Sequence, residues 1–196
     1  DLMGGGSRTP AAIASSVGAK TVEETREVLA RYRDRGYWVH SVKVGGNVDQ
    51  NIERIQDVET HRPAKERILY DANRGFTRQQ ALRVMQATEQ WKVMFEQPCE
   101  TLDDIAAIRP LHSAPVSVDE CLVTLQDATR VARDGIAEVF GIKLNRVGGL
   151  TKACRIRDIA LAHGIDIFVM ATGGSVLADT EALHLAATIP DDNMLG

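Results

Sequence analysis

The sequence predicts an α/β fold of the barrel type, and three observations predict it. Strand-like and helix-like segments alternate along the chain; they recur at a short, steady interval; and no glycine-rich phosphate turn follows any strand. At 196 residues, 44% hydrophobic and 26% charged, the chain has ordinary globular composition and length for one core. An eight-unit barrel takes about 250 residues. Most of one barrel, without a domain linker, is therefore expected over residues 1–196.

The elements follow in order. A first strand is expected within Pro10–Val17, weakened by its alanines. Thr21, with Glu24 three residues on, forms a capping box for a helix running to about Arg35, before Gly36. Trp38–Val44 and Arg67–Tyr70 read as the second and third strands. Thr77 and Gln80 open a helix carrying Ala81, Leu82, Met85 and Trp91. Val93–Phe95 and Pro115–Val118 are the next strands, and Thr124–Asp134 the next helix. Glu138–Ile142 precedes a helix over Leu150–His163, whose Leu150, Ala153, Ile156, Ile159 and Ala160 share a face. Ile165–Met170 and a helix over Leu177–Thr188 complete the series.

Composition narrows the function. The formal net charge is −4, with no basic stripe, so a nucleic-acid partner is not expected. No apolar run approaches the ~20 residues of a membrane span, and the first residues lack the charged and apolar regions of a signal peptide. Cys99, Cys121 and Cys154 are odd in number and widely spaced, fitting neither a disulfide framework nor a metal knuckle. A reducing cytoplasm is the expected location.

One polar residue falls at or just after each of five consecutive strand candidates: Lys43, Asp71, Glu96, Asp119 and Lys143, spaced by 28, 25, 23 and 24 residues. In a barrel these strand ends share one mouth, where such enzymes place their chemistry. Three carboxylates make an oxygen-only set suited to Mg²⁺ or Mn²⁺. Lysines on the second and sixth strands would then face each other across it. That arrangement suits removal of a proton α to a carboxylate, because a divalent cation stabilises the charge that develops and a neighbouring cation lowers a lysine toward a useful base. Each residue alone also reads as a helix cap or a solvated loop charge; the common phase of all five favours the site.

Further motifs agree. Ser41-Val42-Lys43, Asp71-Ala72-Asn73, Phe95-Glu96-Gln97-Pro98, Ser117-Val118-Asp119-Glu120 and Lys143-Leu144-Asn145-Arg146-Val147-Gly148-Gly149 stand in order over nearly the whole chain. In these the sequence resembles the enolase superfamily, in its mandelate racemase and muconate lactonizing branch. The resemblance implies a modified (β/α)7β TIM-like barrel, here lacking the N-terminal capping domain and the last strand. It implies Mg²⁺ (Mn²⁺ as a substitute) on Asp71, Glu96 and Asp119, with Lys43 and Lys143 as the acid and base. It also puts Ser41, Asn73 and Thr172 among substrate-binding positions. Ser41 stands where the family has the first lysine of Lys-x-Lys.

The block His40–Gly46, with Met170–Ser175 and the following Leu177–Ala182, looks like the proline-derivative branch, which implies either a cis-3-hydroxy-L-proline dehydratase or an epimerase of hydroxyproline betaines, dehydration being favoured. Racemisation or epimerisation of proline-type or dipeptide substrates and muconate-type cycloisomerisation are the alternatives, and a catalytically incomplete barrel fragment is the non-enzyme alternative. A small carboxylate (an amino or imino acid) and a homo-oligomer are the expected partners. Thr172-Gly173-Gly174-Ser175 reads either as a turn with Ser175 as helix cap or as backbone N–H groups facing an anion. Strand alternation puts Ser41 and Lys43 on one face and His40 on the other, packed under a helix.

Overall fold

A computed structural model describes residue 3 and residues 11–171 and 175–196. The chain divides into two compact units, Ile13–Val116 and a second built on Ser117–Gly196.

In the first unit, strands β1 (Ala14–Val17), β2 (Val39–Lys43), β3 (Arg67–Asp71) and β4 (Met94–Glu96) alternate with helices. The helices are α1 (Val22–Asp34), α2 (Val48–His61), α3 (Arg78–Ala87) and α4 (Leu102–Ile108). Each strand pairs in parallel with its sequence neighbour. The expected capping boxes are present at Thr21/Glu24 and Thr77/Gln80, satisfying orphan N–H groups at both helix starts. The core takes Val17, Leu29, Val42, Ile55, Tyr70, Met85, Phe95 and Ile105, each almost fully buried. Burying a side chain of this size stabilises by roughly 1.5–3 kcal/mol.

The second unit holds β5 (Val116–Val118), β6 (Val139–Ile142) and β7 (Asp166–Val169), again parallel in chain order. Its helices are α5 (Leu125–Asp134), α6 (Leu144–Val147), α7 (Leu150–Ala162) and α8 (Val176–Ala186). Helix α5 starts in a Thr124/Asp127 box and ends at Gly135, whose φ of 61° the missing Cβ permits. Its core includes Val118, Val131, Phe140, Ile142, Ile156, Ile167 and Leu185. Ser175 caps α8 by accepting from the Ala178 N–H at 3.2 Å, so the capping reading of that turn holds for Ser175.

Three expectations are corrected. The last strand is not wholly lacking: the Leu195 N–H donates to the Ile167 carbonyl at 2.9 Å, the Val169 N–H to the Gly196 carbonyl at 3.0 Å, and Met194 bridges Ile167 in parallel. The outer edge of β7 thus has a donor and an acceptor satisfied by the extended backbone at Met194–Gly196. Lys143 lies just past β6, at the N-cap position of the short helix α6, where its side chain makes no cap bond. The first strand begins at Ala14, inside the expected Pro10–Val17. Pro10 and Thr172 themselves lie outside the described residues. Among the described residues no helix is long and apolar enough to cross a membrane.

The first unit also carries buried polar pairs beneath its helices. His40 is fully buried, as alternation along β2 predicts, with Nδ1 2.7 Å from the Ser15 hydroxyl. Its Nε2 lies 3.8 Å from Glu66, which accepts two bonds from Arg33 at 2.6 and 2.9 Å. Tyr70 donates its hydroxyl to Glu59 at 2.8 Å, and Arg62 donates to the second oxygen of Glu59 at 2.7 Å. Such charge-assisted pairs keep buried carboxylates satisfied.

Candidate active site

In the first unit, hydrogen-bond register puts Lys43 beside Asp71 and Asp71 beside Glu96. The three form one row across adjacent parallel strands, which lie about 4.8 Å apart. Asp71 and Glu96 are buried, with 2% and 1% exposure, while the Lys43 side chain is 40% exposed. The Lys43 amine donates to Asp71 Oδ2, and the Asn73 N–H donates to Asp71 Oδ1 at 2.9 Å. Pairing continues past the strand ends: Val44 N–H to the Asp71 carbonyl at 2.8 Å, Ala72 N–H to Glu96 at 3.0 Å, and Arg74 N–H to Gln97 at 2.9 Å. Three non-glycine residues here adopt positive φ, Asn73 (43°), Arg74 (67°) and Gln97 (39°). Left-handed residues of this kind cluster where a loop is held for function. Asn73 is exposed at this rim, and Ser41 is half-buried two residues before Lys43, on the same face.

In the second unit, Asp119 directly follows β5 and is fully buried. Lys143 donates to its Oδ2 at 2.6 Å, and Arg146 donates to its Oδ1. Burial pushes the Asp119 carboxyl up from its ordinary value, and Lys143 and Arg146 pull against that shift. Gly141 packs directly beside Asp119: a Cβ there would meet Met170 Cε, the Val118 carbonyl at 3.0 Å and Asp119 Cβ at 3.3 Å. Arg146 was not singled out from the sequence, although it stands three residues after Lys143 in the same motif. Helix α6, one turn long, is what brings it onto Asp119.

Asp71 faces an amine, and Asp119 an amine and a guanidinium. Among the described residues, no group of three or more His, Cys, Asp and Glu side chains is arranged to hold a metal ion. The donor chemistry of Asp71, Glu96 and Asp119, buried and oxygen-only, is nevertheless of the kind that suits a hard cation.

Fold and strand-end carboxylates together define a class. Residues 24–195 match the enolase C-terminal domain-like family, and the chain belongs to it. Among solved structures, a Silicibacter pomeroyi protein provisionally described as a mandelate racemase/muconate lactonizing enzyme is 79% identical, with a TM-score of 0.96, covering 98% of this chain and 53% of that one. An enolase-superfamily member from Roseovarius nubinhibens ISM, complexed with magnesium, is 38% identical with a TM-score of 0.95 over 100% of this chain and 53% of that one. The cis-3-hydroxy-L-proline dehydratase of Roseibium aggregatum is 30% identical over 97% of this chain and 52% of its own length. The L-Ala-D/L-Glu epimerase of Thermotoga maritima is 28% identical over 93% of this chain and 54% of its own length. The chain thus spans about half the length of the relatives it matches.

Proposed function

We propose that the chain is the barrel portion of a Mg²⁺-dependent enzyme that removes the α-proton of an amino or imino acid carboxylate, and that its reaction is dehydration of cis-3-hydroxy-L-proline. The observation that carries the reading is the in-register row Lys43–Asp71–Glu96, an amine and two buried carboxylates fixed by backbone pairing. Asp119, clasped by Lys143 and Arg146, is its counterpart in the second unit. The (β/α)7β pattern of the family belongs to the same proposal.

Asp71, Glu96 and Asp119 would hold Mg²⁺, a role consistent with the magnesium complex of the Roseovarius nubinhibens relative. When bound, the ion supplies electrostatic stabilisation of the negative charge that builds on the substrate carboxylate. One of Lys43 and Lys143 accepts the α-proton as a neutral amine. The other, as an ammonium, donates to the departing β-hydroxyl, so that hydroxide leaves as water and an enamine remains. Asn73 and Ser41, at the rim and on the Lys43 face, contact the substrate, as does Thr172.

The name of the Roseibium aggregatum relative supports dehydration. The Thermotoga maritima relative supports a second reading, in which the second lysine returns a proton to the opposite face and the product is an epimer. Incubation in D₂O with Mg²⁺ separates the two. Cis-3-hydroxy-L-proline is expected to give the cyclic imine, formed as the enamine loses its N–H proton and takes up a proton (here a deuteron) at the β-carbon; an α-deuterated stereoisomer without imine, from a hydroxyproline betaine or L-Ala-L-Glu, selects epimerisation. Lys143→Ala is expected to lower turnover by at least about 10²-fold. Full activity in that variant would remove the mechanism.

A further inference from the structure

Arg54, on α2, is 4% exposed, and it faces no carboxylate at ion-pair distance among the described residues. Its three donor positions go to neutral acceptors: Nε to Thr25 Oγ1 at 3.1 Å, Nη1 to Asn51 Oδ1 at 3.3 Å, and Nη2 to the Lys43 carbonyl at 3.1 Å. Thr25 and Asn51 are themselves buried, at 0% and 3% exposure. A buried guanidinium with no carboxylate in contact, only the more distant charge of Glu24, is costly, and an apolar side chain would fill the same space at lower cost. What an apolar residue could not do is hold the last carbonyl of β2.

That carbonyl needs holding. Gly45 and Gly46 follow Lys43 almost at once, with φ of 134° and 72°, so the chain just past the strand is intrinsically free to turn. The same cluster restrains that turn: Asn51 Nδ2 donates to the carbonyls of Gly45 and Asn47, each at 2.8 Å, while its Oδ1 accepts from Arg54. The fork of Arg54 therefore ties α1, α2 and the end of β2 at one point.

We infer that Arg54 is a positioning residue for Lys43, fixing the backbone from which its amine reaches toward the α-proton. The inference rests on the proposed role of Lys43, and its test separates the two. In the full chain, Arg54→Met keeps the volume and removes every donor. Amide exchange read by mass spectrometry over residues 43–47 is expected to quicken by about tenfold or more, the loss of a hydrogen bond from a charged donor, while residues 139–147 keep their wild-type rate. Turnover on cis-3-hydroxy-L-proline with Mg²⁺ is expected to fall about tenfold in kcat with KM within about twofold, as for a misplaced reacting group. Should Arg54→Met fail to fold, Thr25→Val removes one acceptor and is expected to quicken the same amides to a smaller extent. Wild-type exchange over 43–47 in the variants overturns the inference, as does unchanged kcat beside an active wild type. A wild type that turns over no substrate defeats the proposed function alone, and the exchange measurement then decides the clamp.

Discussion

Gly141→Ala isolates packing at the Asp119 site. Gly141 has no positive φ to complicate the change, so the added methyl acts through space alone. Two of its three contacts differ in kind. Met170 Cε ends a flexible side chain that can swing aside, whereas the Val118 carbonyl at 3.0 Å is strand backbone and cannot. Overpacking costs about 1–3 kcal/mol, and alanine returns about 0.4–1 kcal/mol by restricting the unfolded chain. A net loss of about 1–2 kcal/mol follows, equivalent to about 2–8 °C in Tm for a domain of this size. Urea titration of wild type, Gly141→Ala and Gly141→Ala/Met170→Ala measures it. The double variant is expected to show positive coupling, because the alanine at 170 removes the first clash while adding its own cavity cost. A single variant within about 0.3 kcal/mol of wild type would refute the reasoning.

Other outcomes follow from the same geometry. Tyr70→Phe leaves a buried Glu59 oxygen without its 2.8 Å donor and is expected to cost about 1–3 kcal/mol in chemical denaturation. Burial holds the His40 imidazole below its ordinary value of 6.5; Glu66 opposes that shift and Arg33 adds to it. The unfolded chain therefore takes up this proton first. The stability contributed is full above about pH 6.5 and declines as pH falls toward the folded value, and His40→Gln is expected to flatten that slope. Mg²⁺ at about a hundred times its Kd is expected to stabilise the wild type by about 2.7 kcal/mol. Asp119→Asn should lose most of that gain in a thermal melt, and retention of the full gain would count against Asp119 as a ligand.

Much of the fold was legible because strand and helix signals were local. Thr21/Glu24, Thr77/Gln80 and Thr124 marked helix starts that the structure places within a residue. Helices α2 and α4 were not singled out, for different reasons. The buried stripe of α2 includes Asn51, Arg54 and Glu59, so half of its inward face is polar and no run of apolar residues marks it. Helix α4 is only seven residues long, shorter than any window in which a period can be read. At the site, the phase of Lys43, Asp71 and Glu96 was visible because register is a backbone property. The second clasp on Asp119 was not, since the reach of Arg146 depends on the single turn of α6.

The row across β2, β3 and β4 also bears on how such a chain can diversify. Its members are placed by ladder hydrogen bonds, and the turns just past the strand ends are tied to them through the Asn73 N–H and the Asn51 amide. Sequence change is therefore better borne in the outer parts of the connecting segments, away from those ties. A one-residue slip of β3, by contrast, would exchange Asp71 for Tyr70 or Ala72 at the row and remove a buried carboxylate from it. The outer loops are free to drift; the register is not.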